Sequence, residues 1–173
     1  MVANDTVGGE TCRVEPCRGD ARHPPLGSRF VSVTIEIATE ATDELLDAFA
    51  RLVPQLSQSS PPPDGAQVEL LVADPGSVVF VARLDGVIVG TLTLVLYRIP
   101  TGLKAWIEDV VVDGAARGHG VGDSLNQAAL AEARTRGAKA VSLTSRPSRE
   151  AANRLYQRIG FTQRDTNVYR YDL

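Results

Sequence analysis

A chain of 173 residues is most simply one domain, long enough to bury a sizeable core. Hydrophobic residues make up 43%, too many for a disordered chain, and a net charge of −3 from 18 basic and 21 acidic side chains gives no reason to expect nucleic acid as a partner. No apolar run approaches the roughly 18 to 20 residues that cross a bilayer, and the N-terminus lacks a basic segment followed by an apolar one, so a cytoplasmic protein without membrane attachment is expected.

Residues 1–29 are rich in Gly, Pro, Arg and Asp without helical or strand period, and are expected to be a disordered or irregular extension ahead of a single domain at 30–173. This stretch holds both cysteines, Cys12 and Cys17, with His23 nearby. A zinc site needs about four ligands, and no further Cys or clustered His supplies them, so no metal is expected.

From Phe30 to Ile37 apolar and polar residues alternate, the pattern of a half-buried strand. Ala38 to Leu56 reads as a helix, with Thr42 as N-cap and Leu45, Leu46, Phe49, Leu52 and Val53 as its stripe; Pro54 is expected to end its regular part. A proline-rich loop follows, Ser57 to Gly65, then a short helix from Ala66 to Ala73. Two strands, Ser77 to Leu84 and Val87 to Tyr97, flank Asp85-Gly86, a strong hairpin signal because a primed turn needs positive φ. Pro100-Thr101-Gly102 turns the chain into the strand Ile107 to Val112, giving three adjacent antiparallel strands.

Next comes Arg117-Gly118-His119-Gly120-Val121-Gly122, opening a helix whose apolar face is Val121, Leu125, Ala128, Ala129 and Ala133, with Gly137 as its C-cap. Lys139 to Thr144 is a strand parallel to the one before the helix, because a helical crossover joins them. Ser148 caps a last helix in which Ala152, Leu155, Tyr156 and Ile159 share a face and which Gly160 ends; Phe161 to Arg164 and Val168 to Tyr171 read as two closing strands.

Strand, glycine loop and helix together make an anion cradle. Glycines let the backbone approach a phosphate, the first helical N–H groups point at it, and the helix dipole favours negative charge there, so a phosphorylated ligand is expected. A Walker loop would need Lys after its last Gly, where Asp123 stands. A dinucleotide fingerprint counted from Gly118 would need Gly at that same position, where a carboxylate would repel a pyrophosphate. Arg117-x-x-Gly120-x-Gly122, after Val110-Val111-Val112, resembles instead the acetyl-CoA loop of the GCN5-related N-acetyltransferases. Three further patterns agree over residues 31–173: the strand Ile107 to Asp113, the strand Lys139 to Thr144, and Asn153-Arg-Leu-Tyr156-Gln-Arg-Ile-Gly160-Phe161, which is similar to the family's N-x-x-L-Y-x-x-x-G-F.

The resemblance implies an α/β fold with a mixed, mostly antiparallel sheet, and the reading above supplies seven strands and four helices for it. It implies acetyl-CoA as cosubstrate, held at Val110, Val111, Val112, Arg117, Gly118, His119, Gly120, Val121, Gly122, Asn153 and Tyr156. A strand bulge at Val110 to Val112 would free backbone N–H groups for the thioester carbonyl and the pantetheine arm, and residues 118–122 would take the pyrophosphate. Tyr156 occupies the position of the family's general acid. Glu108, or failing it Asp109, would be the general base, since an attacking amine must lose its proton. His119 reads as a solvent-facing loop residue, and Asn153 has the alternative of satisfying a backbone group. The acceptor would lie between Gln55 to Gln67 and the antiparallel strands, with Tyr97 and Trp106 as walls.

The function so implied is direct acetyl transfer to a primary amine, of a small molecule or a peptide, in a ternary complex; a homodimer is common among relatives. The alternatives are a non-catalytic CoA-binding sensor or scaffold of the same fold, and a toxin acting on aminoacyl-tRNA. Tyr156 and Glu108 speak against the first, and the absence of a basic excess against the second.

Overall fold

A computed structural model describes residues 32–57 and 59–173. The expected extension at 1–29, with Cys12, Cys17 and His23, lies outside those residues, as does the start of the first expected strand.

Strand β1 (Val33–Ala38) pairs antiparallel with β2 (Ser77–Leu84), β2 with β3 (Val87–Ile99) and β3 with β4 (Gly102–Val112). Asp85 and Gly86 at φ 50° and 85° form the expected primed turn between β2 and β3. Strand β5 (Val141–Ser142) joins β4 in parallel, reached through a crossover, so the order across the sheet is the chain order. Helices α1 (Asp43–Leu56) and α2 (Gly65–Ala73) cover one face of the sheet and α3 (Val121–Thr135) the other; α4 (Glu150–Arg158) follows β5.

Val78 to Ala82 on β2 are all buried because alternate residues feed two cores. Val79 and Val81 meet Leu45, Phe49 and Leu52 of α1 and Val68 of α2, while Val78, Phe80 and Ala82 join Leu92, Leu94, Ala105 and Ile107 under Val121, Leu125, Ala129 and Ala133 of α3. Each large side chain so enclosed contributes about 1.5–3 kcal/mol. The closeness of α3 depends on Gly90, where a Cβ would lie 3.0 Å from Val121 Cγ1 and 3.2 Å from Leu125 Cδ1. A Gly90→Ala protein is expected to lose about 1–3 kcal/mol in urea unfolding, the usual cost of overpacking, because the carbonyl of Val111 closes the third side at 3.1 Å.

The sheet has five strands rather than seven. The stretches expected to close the chain, 161–164 and 168–171, form no ladder, and Val168, Tyr169 and Tyr171 stay exposed. Their alternation is that of a strand, but β5 pairs over only two residues and offers them little edge to extend. Strand β4 begins at Gly102 instead of Ile107, because the turn at Pro100 is tight enough for pairing to resume as Ile99↔Gly102. Helix α1 runs through Pro54 to Leu56: Pro54 removes a donor, but the helix still closes with the Ser57 N–H on the Val53 carbonyl at 2.9 Å. Helix α4 is preceded by Arg149, not Ser148, and has no side-chain cap.

Candidate active site

Strand β4 is bulged where the chemistry is expected. Thr91 faces Val111 and Thr93 faces Glu108, so Asp109 and Val110 together oppose Leu92. Asp109 absorbs the extra residue at φ 50°, a left-handed conformation that Asp tolerates better than most side chains. The bulge thus lies at Asp109–Val110, one residue ahead of the expected Val110 to Val112. Beyond it, Val110 and Val112 turn toward the α3 core and Val111 toward the α1 core.

The two parallel strands separate almost at once. Ala105 pairs with Val141 and Trp106 with Ser142, and no pair follows, so the edge of β4 from Ile107 onward opens into a cleft. At the far end of that edge the chain turns through a 3₁₀ segment, Gly114–Ala116, and enters α3 by the glycine loop. Gly118 and Gly120 hold φ 84° and 76°, and a Cβ at either would meet nothing within 4 Å, so their task is conformational and the loop's outer side is open. Among the described residues, no N–H from Gly118 to Asp123 has a protein acceptor; the ladder begins with Ser124 N–H on the Gly120 carbonyl at 3.0 Å. Six consecutive donors at a helix N-terminus, beside the exposed Arg117, fit a pyrophosphate.

His119 is exposed but not idle: Nδ1 reaches the carbonyls of Ala116 at 3.3 Å and Arg117 at 3.1 Å and braces the turn. Helix α1 anchors the loop from the other side. Arg51 holds Asp113 at 2.7 Å and the Ile88 carbonyl at 2.8 Å, and Gln55 Oε1 accepts from Gly114 N–H at 3.0 Å. These supports are 62 and 59 residues away in sequence, and nothing in the pattern of α1 marks them beyond long polar side chains at the edge of its apolar stripe.

Helix α4 closes the cleft. Leu155 Cδ2 lies 3.2 Å from where a Cβ on Gly122 would stand, so that glycine admits α4 to the start of α3. Arg158 pairs with Asp123 at 2.9 Å, which draws the one acid of the first turn of α3 away from the donors. Gly160 at φ 102° ends the helix, with Phe161 N–H on the Tyr156 carbonyl at 2.9 Å. Tyr156 is half-buried and meets Phe161 edge to face, ring centres 5.8 Å apart. Burial pushes its phenol above the ordinary range, and the charge of Arg149 pulls it partly back. Asn153 Nδ2 donates to the Arg146 carbonyl at 3.0 Å and steadies the turn before α4, the alternative role of satisfying a backbone group.

Glu108 lies on the sheet face opposite Ile107, across from Thr93 and on the same side as Trp106. Desolvation raises its carboxyl above the usual range, the neighbouring Asp109 raises it further, and the Trp106 indole pulls weakly the other way. That buried indole N–H makes no well-formed hydrogen bond among the described residues, which is why its pull on the carboxyl is the smallest of the three. Tyr97 and Lys104 continue the same face as a cross-strand pair, so the expected walls Tyr97 and Trp106 do share a surface with Glu108. Asp109 sits in the bulge itself and acts on Glu108 by its charge.

Residues 40–161 match the profile of the Acetyltransferase (GNAT) family. The mycothiol acetyltransferase of Streptosporangium roseum is 46% identical over 59 residues, which are 34% of this chain and only 18% of that protein. An acetyltransferase of Trypanosoma brucei superposes with a TM-score of 0.68 at 27% identity, over 82% of this chain and 100% of that one. An aminoglycoside N-acetyltransferase solved in complex with CoA shares the fold, with a TM-score of 0.71 at 18% identity over 85% of this chain and 99% of that one. The chain belongs to the Acetyltransferase (GNAT) family. Among its described residues no helix is long and apolar enough to cross a membrane.

Proposed function

We propose that the protein transfers the acetyl group of acetyl-CoA directly to a primary amine in a ternary complex. The observation that carries this reading is the row of unpaired N–H groups from Gly118 to Asp123, set at the end of a strand edge that has parted from its neighbour. When bound, acetyl-CoA supplies an acyl thioester. The loop N–H groups and Arg117 hold its pyrophosphate, and the open edge of β4 from Asp109 to Val112 lies along its arm. Glu108, directly or through water, takes the proton of the incoming ammonium so that nitrogen attacks as a free amine. The N–C bond forms first; as the C–S bond then breaks, the Tyr156 O–H gives its proton to the departing sulfur, and the second proton leaving the nitrogen passes through water to restore the phenol. The backbone N–H groups of Val110 and Val112 are the donors for the developing oxyanion and the arm. The acceptor comes in from the face of Trp106, Tyr97 and Glu108.

The test is a thermal-shift titration of the protein with CoA and with acetyl-CoA, followed by an amine panel scored by thiol release. A saturable rise in Tm supports the cosubstrate site by mass action, and its absence with both ligands overturns the reading. The base also has a sign in pH. Glu108 works only when ionised, so activity is lost as pH falls through its raised pKa. Glu108→Gln is expected to lower kcat by about 10²-fold and to remove that acidic limb.

A further inference from the structure

Arg149 is the residue that precedes α4, seven positions before Tyr156. Its Nη2 donates to the Leu56 carbonyl at 3.0 Å, across 93 residues of sequence. Leu56 is the last residue of α1, and α1 has no basic residue in its own last turn. A helix C-terminus presents unpaired carbonyls and partial negative charge, so Arg149 supplies from α4 the cation that α1 lacks. The contact joins the end of α1, where the expected acceptor rim begins, to the start of the helix that carries Tyr156. The charged residues of α4 itself are engaged in ion pairs: Arg154 with Glu150, and Arg158 with Asp123. Arg149 is the charge felt by the Tyr156 phenol.

We propose that Arg149 is a positioning residue that straps the acceptor rim at the end of α1 to the helix carrying the proton donor, and so fixes Tyr156 relative to the acceptor. This rests on the reading of Tyr156 as the general acid. The guanidinium suits the role because one of its donors is taken by the Leu56 carbonyl while its positive charge still acts on the phenol. Nothing in the sequence motif calls for Arg at this place; the assignment comes from the contact between α4 and α1.

Two readouts that do not need the acceptor test this. Hydrogen exchange of the full-length protein should quicken about tenfold in the last turn of α1, Val53 to Ser57, on Arg149→Ala, since a charge-assisted bond holds that end closed. Arg149→Gln serves if the Ala protein folds poorly, and Arg149→Lys should restore much of the protection. Titration of Tyr156, followed by NMR of ¹³Cζ-labelled tyrosine and assigned with Tyr156→Phe, should move to higher pH in the Ala and Gln proteins and return toward wild type in the Lys protein. Unchanged exchange overturns the strap. Faster exchange with an unmoved Tyr156 titration overturns the positioning role and leaves a brace of α1 alone. Failure of CoA to raise Tm, by contrast, strikes the proposed activity and leaves both readouts of Arg149 interpretable.

Discussion

Replacing Gly120 by Asp is expected to weaken CoA and acetyl-CoA binding by about 100-fold or more with only a small loss of stability. Gly120 sits at φ 76°, so any other residue carries left-handed strain there, but a Cβ would meet nothing within 4 Å and no clash adds to it. The strain costs about 1–2 kcal/mol at most, and less for Asp, which visits this region more readily. Against binding the effect is far larger. The carboxylate would stand among six N–H groups that have no protein acceptor, at the positive end of α3, where it competes with the ligand phosphates and repels them. Losing two hydrogen bonds to charged groups at about 1.5 kcal/mol or more each already amounts to roughly 100-fold. Gly120→Ala separates the two terms, since it brings at least as much strain without the charge. Calorimetric titration with CoA should therefore show Ala within about tenfold of wild type and Asp far weaker. Equal losses in the two variants would sink the electrostatic account of the loop.

The parts of this molecule that were legible in advance are those governed by local rules. Asp85-Gly86 demanded a primed turn and formed one. Thr42 caps α1 through a 3.2 Å bond from Leu45 N–H, and the stripe of α3 buries Val121, Leu125, Ala129 and Ala133 as its spacing requires. The glycine loop could be read because its residue types encode φ and access, and those are backbone properties. What depended on partners distant in sequence was not legible. The closing strands at 161–164 and 168–171 carry the right alternation, but strand formation needs a neighbouring edge, and β5 pairs over only two residues. The bulge was displaced to Asp109 because its position follows from the register of β3 on β4, which no single strand reveals. Asn153 and Tyr156 stand on one helical face in sequence, yet Asn153 turns to the Arg146 carbonyl. Arg51, Gln55 and Arg149 had no motif to announce them, because each acts on a group about 60 or more residues away in sequence.

Removing a single oxygen at position 156 should slow the reaction by about 10²–10³-fold, the usual worth of a positioned proton donor, while leaving the fold and CoA affinity near wild type. Phe keeps the ring, and the ring is what packs: it meets Phe161 edge to face at 5.8 Å and closes the half-buried side of α4. Among the described residues the hydroxyl has no hydrogen-bond partner, so its loss leaves no orphaned group, and Tm should hold within a few degrees. A defect confined to kcat is the mark of a group that acts on the leaving sulfur rather than on binding. The pH dependence follows from the same environment. Burial raises the phenol, so it stays protonated through neutral pH, and a general acid is active below its pKa and lost as pH rises through it. The wild-type profile of kcat should accordingly fall on its alkaline side, and the Tyr156→Phe profile should be low and flat there. Measuring both variants with the same amine is essential, because the acceptor's own ammonium also titrates in this range and appears in each profile. If the Phe enzyme kept the alkaline fall, the limb would belong to another group, and water rather than Tyr156 would be the donor to sulfur.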